Sequence, residues 1–186
     1  FDASKARANV AALPWVESAT IRKVYPDAIE VEIAEKAAFA VWQNDGDLTL
    51  VESDGKPIAP LSSPRHAELP LVVGRGADKR AKAFVAKVDQ YPEVARQVAG
   101  YIRVGDRRWD LRLKNGITVR LPEGKEDQAL AELVQLDGES EIMSRDVVAI
   151  DLRLDDRIAV QLSPEASSAR QDAMKKLLSG KKERRI

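Results

Sequence analysis

The sequence predicts an α+β chain: a short helix with a β-hairpin, then a mostly antiparallel, twisted β domain with flanking helices. Three observations predict it. Several segments of four to eight residues alternate apolar with polar side chains, the period of a strand with one buried face. A few others repeat apolar residues at helical spacing. One hairpin sentence also occurs twice: Trp109-Asp-Leu-Arg-Leu-Lys-Asn-Gly-Ile-Thr-Val-Arg-Leu121 and Ile150-Asp-Leu-Arg-Leu-Asp-Asp-Arg-Ile-Ala-Val-Gln-Leu162, 41 residues apart.

Residues 2–12 read as a helix capped by Asp2 or Ser4, with Ala6, Val10 and Leu13 in a stripe. Strands follow at 17–24 and 28–35 around Tyr25-Pro26-Asp27, with Ile29, Val31 and Ile33 alternating against glutamates. This piece is too small to close a core. Phe39–Trp42 and Leu48–Val51 form a second hairpin around Asn44-Asp-Gly-Asp47, and Asp54-Gly55 makes the next turn. Pro57 to Pro70 holds four of the nine prolines and reads as a loop. Leu69–Gly74 is a short buried segment. Asp78 caps a helix to about Tyr91, Pro92 breaks it, and Glu93–Val98 resumes. Tyr101–Val104 leads into the first repeated hairpin. Glu126–Leu136 is a helix with Ala129, Leu130 and Leu133 inward.

The register of the first repeat follows from its pattern. Leu113 and Ile117 must share the core face, which requires a three-residue loop, Lys114-Asn115-Gly116. Its third residue falls in the left-handed region, where glycine escapes a cost of roughly 1–2 kcal/mol. Arg157 stands at that place in the second copy, so the loop there is strained or wider. The second copy is also the last strand-like segment, and a final strand with nothing after it to pair against is a place to dock.

Composition excludes more than it suggests. In 186 residues, thirty basic side chains balance thirty acidic ones, so no global field favours nucleic acid. The absence of cysteine removes thiol nucleophiles and thiolate metal sites. The single histidine, His66, reads as an exposed loop residue. Serines 53, 62, 63 and 140 lack a nucleophile-elbow setting. Gly74-Arg-Gly76 reads as a turn and helix entry, for want of a third glycine and a β-α-β context. The carboxylate pairs Asp155-Asp156 and Glu139/Glu141 read as solvated turn residues. No catalytic, cofactor or metal site is expected. The charged tail, 164–186, carries Ala169, Met174, Leu177 and Leu178 in a loose helical spacing and ends Lys181-Lys-Glu-Arg-Arg185. That is enough to pack on the domain or a partner helix and too little for membrane insertion. The residues suggest a binding module.

Leu13-Pro-Trp-Val16, Ala19-Thr-Ile-Arg-Lys-Val-Tyr-Pro26 and Ile29-Glu-Val-Glu-Ile33 through Phe39-Ala-Val-Trp42 closely resemble the second half of a POTRA domain of the FtsQ/DivIB family. Leu69-Pro-Leu-Val, Arg107-Arg108-Trp109 and Ile150-Asp-Leu-Arg-Leu resemble that family's β domain in order. The resemblance covers about residues 3–163 and implies three parts: a C-terminal POTRA half at 1–37, a β domain at 38–163 and the tail at 164–186.

It also implies a non-enzymatic divisome assembly protein. Such a protein sits in the bacterial inner membrane through one span, outside this chain, with this part periplasmic at the septum. The implied partners are FtsB and FtsL, with other division proteins possible through the POTRA domain and no nucleic acid. FtsB is expected on the last strand by strand addition, linking early to late division proteins. Carried across position by position, the resemblance implies Arg153 as an ion-pair partner and Leu154 as an apolar anchor. It places Asp156 and Arg157 at the hairpin tip, Ile158, Val160 and Leu162 along the strand, and Arg107 as a matching basic position on the neighbouring copy. Leu154 and Leu162 stand where aromatics occur in the family, and Arg157 where glycine occurs. The alternative is a POTRA-bearing outer-membrane assembly or secretion factor. Such factors usually carry POTRA repeats in tandem.

Overall fold

The computed structural model describes residues 2–154 and 156–183, with side chains through Lys176. Asp155, Arg184 and Arg185 lie outside the described residues, as do the side chains of Leu177, Leu178 and Lys181. The chain divides into two compact units, 1–85 and 86–186.

The first unit opens with helix α1 (Ala3–Ala11), capped by Asp2, whose carboxylate accepts from the Ser4 and Lys5 amides. Strands β1 (Val16–Val24) and β2 (Ala28–Glu35) pair antiparallel, with Ile21 opposite Val31 and Ala19 opposite Ile33. Arg22 bridges Glu30 and Glu32 on the other face of the pair. Strand β2 is exposed along its whole length, as expected for a piece too small to close a core.

Strands β3 (Ala40–Asn44), β4 (Asp47–Val51), β5 (Pro57–Pro60) and β6 (Leu71–Val73) follow in sheet order β6-β3-β4-β5. The β3–β4 and β4–β5 pairs are antiparallel and β3–β6 is parallel. Strand β5 corrects the expectation of a plain loop from Pro57 to Pro70. An edge strand needs ladder bonds on one side only, so it tolerates prolines that an interior strand would reject. Val41, Leu50 and Ile58 form the core, and Trp15 packs against them from the end of α1.

Gly55 shows why a turn there has to be glycine. Its φ is +87°, and an added Cβ would lie 2.8 Å from the Lys79 Cα. Lys79 sits in the first turn of helix α2 (Ala77–Val88), which enters through the positive-φ residues Gly74 and Gly76. Asp78 lies inside that first turn rather than capping it.

In the second unit the helix resumes only briefly, as α3 (Pro92–Ala95). Strands β7 (Val98–Val104), β8 (Arg108–Leu113), β9 (Thr118–Arg120), β10 (Val147–Asp151) and β11 (Ala159–Leu162) lie in that spatial order. All neighbouring pairs are antiparallel except β9–β10, which is parallel. Helix α4 (Glu126–Ser140) makes the crossover that parallel strands require and runs four residues past its expected end.

The first repeated hairpin has the predicted three-residue loop. Leu113 donates to the Ile117 carbonyl, and Gly116, at φ +91°, donates to Leu113. Asn115 braces the tip by donating to the Met143 carbonyl at 2.7 Å and accepting from the Ile117 amide. After β11, helix α5 (Pro164–Glu183) begins at Ser163, whose hydroxyl accepts from the Ala166 amide. From Ser168 to Lys176 every residue of α5 is exposed, so this part of the tail does not cover the sheet.

Candidate functional site

The sequence-predicted site residues, Arg107 apart, fall on and around the last two strands. Side chains opposite one another in a sheet share a face, so the register defines rows. One row runs Tyr101, Leu111, Val119, Ile150, Val160 across β7 to β11. Leu111, Val119 and Ile150 are completely buried, whereas Val160 is 38% exposed. The apolar row therefore ends one strand short of cover.

Val160 is not alone. The described large hydrophobics of this unit that stand exposed are Val148, Leu154, Ile158, Val160 and Met174, and all but the last belong to the β10–β11 hairpin. Leu154, the expected apolar anchor, is 46% exposed, and Leu162 is half-buried. Exposed apolar groups gathered on one element mark an interaction surface more often than scattered ones do.

The backbone decides which groups a new strand would meet. The amide of Leu152 donates to the Arg120 carbonyl on β9, so by alternation Asp151 and Ala149 turn toward β11. Independently, the amide of Ser163 donates to the Asp146 carbonyl beside β10. Gln161 and Ala159 then face β10 as well, opposite Ala149 and Asp151. Val160 and Leu162 accordingly point their amides and carbonyls away from the sheet. No proline interrupts β11.

The second repeated hairpin is wider than the first. Asp151 pairs with Ala159, leaving a seven-residue connector, 152–158. Arg157 is thus accommodated in the wider of the two anticipated turns. It forms a 3.6 Å ion pair with Asp156, both side chains at least 70% exposed. Such a pair contributes little to stability.

The opposite face of the sheet carries charge. Its row runs Ile102, Asp110, Arg120, Asp151, Ala159, so the aspartates of the two repeats flank the same arginine. Arg120 Nη1 lies 3.5 Å from Asp151 Oδ2. Arg153 grips Asp151 with two side-chain bonds, Nε to Oδ1 at 2.8 Å and Nη2 to Oδ2 at 2.6 Å, and its amide donates to Oδ1 at 3.1 Å.

These bonds, with Arg120 beside them, hold the Asp151 carboxyl down at about 2. Asp110 shifts the other way. Burial pushes its carboxyl up and outweighs Arg108, Arg120 and Arg153. Its Oδ1 sits 3.5 Å from Arg108 Nε without hydrogen-bond geometry, and neither atom has a hydrogen-bond partner among the described residues.

Arg153, expected to pair with a partner, is thus already engaged within the chain. Arg107 is exposed in the β7–β8 turn, 4.0 Å from Glu123. It shares an end of the sheet with Arg153 but belongs to β8's side. Three strand spacings put it about 14 Å from β11. Sequence reasoning missed Val148 and Asp151. The repeated Asp-Leu-Arg was the signal for Asp151, since it places a carboxylate and a guanidinium two residues apart on one face.

In the first unit, His66 is a half-buried residue rather than the expected exposed one. Its ring stacks on Trp15 at 5.3 Å, and Arg65 lies over the same indole at 5.6 Å. A loop histidine and the Pro14-Trp15-Val16 segment share one contact that neither local pattern reveals.

Known families match two segments of this chain. Residues 1–36 match the POTRA domain, FtsQ-type, and residues 40–153 match Cell division protein FtsQ/DivIB, C-terminal. The class is therefore a bacterial cell division protein with a POTRA module and a β domain. The chain is 48% identical over 174 residues to the cell division protein FtsQ of Rhizobium radiobacter, covering 94% of this chain and 83% of that protein. It is equally identical over the same length to that of Agrobacterium fabrum, of which it spans 55%. For Caulobacter vibrioides the identity is 37% over 161 residues, 87% of this chain and 53% of that protein. The chain belongs to the FtsQ/DivIB family, and it spans about half the length of most of the relatives it matches. No helix among the described residues is long and apolar enough to cross a membrane.

Proposed function

We propose that this chain is the periplasmic part of a non-enzymatic divisome assembly protein that binds FtsB and FtsL by strand addition to β11. In this reading, 1–37 is the closing half of a POTRA module, 38–163 the β domain and 164–186 a tail. A single span outside the chain holds the protein in the inner membrane at the septum.

One observation carries the reading. β11 is an outer strand without proline whose outward backbone groups, at Val160 and Leu162, adjoin a cluster of exposed apolar side chains. Addition of an antiparallel strand makes about four hydrogen bonds there, a net gain of roughly 2–6 kcal/mol. Micromolar affinity needs about 8 kcal/mol, after association costs. Side chains must supply the rest, and Val160, Ile158 and Leu154 are placed to do so.

Amide exchange of the chain with and without the cognate FtsB periplasmic segment tests this. The Val160 and Leu162 amides should exchange fast alone and gain protection on binding. Those of Ala159 and Gln161, already bonded to β10, should change little. Protection that appears elsewhere, or an absence of binding by a chain with an intact last hairpin, overturns the proposal.

A further inference from the structure

We infer that Asp151 is a positioning residue for the docking edge: by clamping Arg153 it fixes the register of β11. The inference rests on the strand-addition reading and adds the residue that makes the edge competent.

The two copies of the hairpin sentence show why one is needed. In the first, the turn sets the register. Gly116 takes the left-handed conformation, and Asn115 ties the tip to Ile117 and Met143. Arg112 of that copy reaches the Gly116 carbonyl at 2.6 Å and helps close the same turn. The second copy has neither glycine nor asparagine in its turn. Seven residues join two strands that a two-residue loop could connect, and the exposed Asp156–Arg157 pair cannot hold such a span in one register.

The clamp lies at the start of that span. Asp151 is the last residue of β10 and faces Ala159, the first of β11. Its carboxylate holds both the backbone amide and the guanidinium of Arg153, while Arg120 approaches from β9. Leu152, between them, is buried and bonded through its amide to Arg120. The chain therefore leaves the sheet in one direction, and the return of β11 is set from that point.

Register matters here because the side-chain period is two. A slip of one residue would turn Val160 to the charged face. It would also exchange the outward amides of Val160 and Leu162 for those of Ala159 and Gln161.

The test compares Asp151→Asn, Asp151→Glu, Arg153→Gln, the Asp151→Asn/Arg153→Gln double variant and Val160→Pro in the 186-residue chain, titrated with the cognate FtsB segment. Asp151→Asn and Arg153→Gln should each weaken binding about tenfold, and the double variant no more than either. Asp151→Glu should recover part of the loss. In the free Asp151→Asn chain, exchange at Ala159 and Gln161 should rise at least tenfold while Leu111 and Val119 keep their protection. Unchanged affinity in Asp151→Asn beside lost binding in Val160→Pro overturns the inference and leaves the docking edge standing. Full affinity in Val160→Pro overturns the docking edge itself, and the exchange of Ala159 and Gln161 then decides the clamp alone. A tenfold loss of affinity with unchanged exchange also overturns the inference. If Asp151→Asn fails to fold, Arg153→Gln removes the same clamp from its exposed end.

Discussion

Strands β5 and β11 each pair on one side only, within their own units, and they treat the open side in opposite ways. β5 begins and ends with proline. The Leu61 amide turns inward to the Leu48 carbonyl, so Pro60, one residue earlier, faces outward with no donor to offer. β11 has outward donors at Val160 and Leu162 and exposed apolar neighbours. Edge strands are commonly blunted against unwanted pairing. β11 is left unblunted, and the strand-addition proposal gives that open side a use.

The comparison breaks first at Val160. Val160→Pro removes an outward amide and should lower affinity for the FtsB segment at least a hundredfold by calorimetry, with a melting temperature close to that of the parent chain. Ala159→Pro removes an amide that bonds β10 and should cost about 1–3 kcal/mol of stability by denaturant unfolding. If the two prolines behave alike, the assignment of outward and inward groups is wrong.

Next comes Leu154→Asp, which should weaken binding about tenfold with under 0.5 kcal/mol change in stability, because the side chain is half in solvent. By contrast Leu111→Ala, in the buried part of the apolar row, should cost about 2–5 kcal/mol without selective loss of binding. Gly116→Ala adds a Cβ that meets nothing within 4 Å, so only its positive φ penalises it, by about 1 kcal/mol.

The clamp has its own acid signature. The Asp151 carboxyl is lowered in the folded chain from 3.8 to about 2. Its contribution is therefore complete above pH 3.8 and lost as pH falls toward 2. Denaturant midpoints measured from pH 5 to 2 should fall less steeply in Asp151→Asn. Asp110, raised by burial, works against that loss, because protonation relieves a buried charge. The smallest effect belongs to Pro60→Ala, which gives β5 one outward donor. It should change stability by under 0.5 kcal/mol and leave FtsB affinity alone.

Much of this was legible in order along the chain. The Asp2 cap, the period-2 runs of β1 and β2, and the Gly116 loop are local, so neighbouring residues specify them. Family likeness supplied the positions around β11, and alternation along the strand alone would not have separated Leu154 from the buried leucines. The connector was half legible: Arg157 left a strained loop or a wider one and said nothing of where the turn would close. β5 was hidden because its two prolines look like loop punctuation until a neighbouring strand is present to accept its one bonding side.

The sequence by itself determined which segments alternate, that Asp2 caps the first helix and which turn takes a glycine, because those depend on side chains within a few residues of one another. Tertiary structure decided the rest. The parallel β9–β10 pairing, the Trp15–His66 stack, and the choice of Val160 and Leu162 as the outward pair rest on partners in other elements of the chain. So does the meeting of Asp110 and Asp151 at Arg120. The doubled hairpin shows the division clearly. One set of words is written twice, and only the strand beside each copy makes the first a scaffold and leaves the second an open edge.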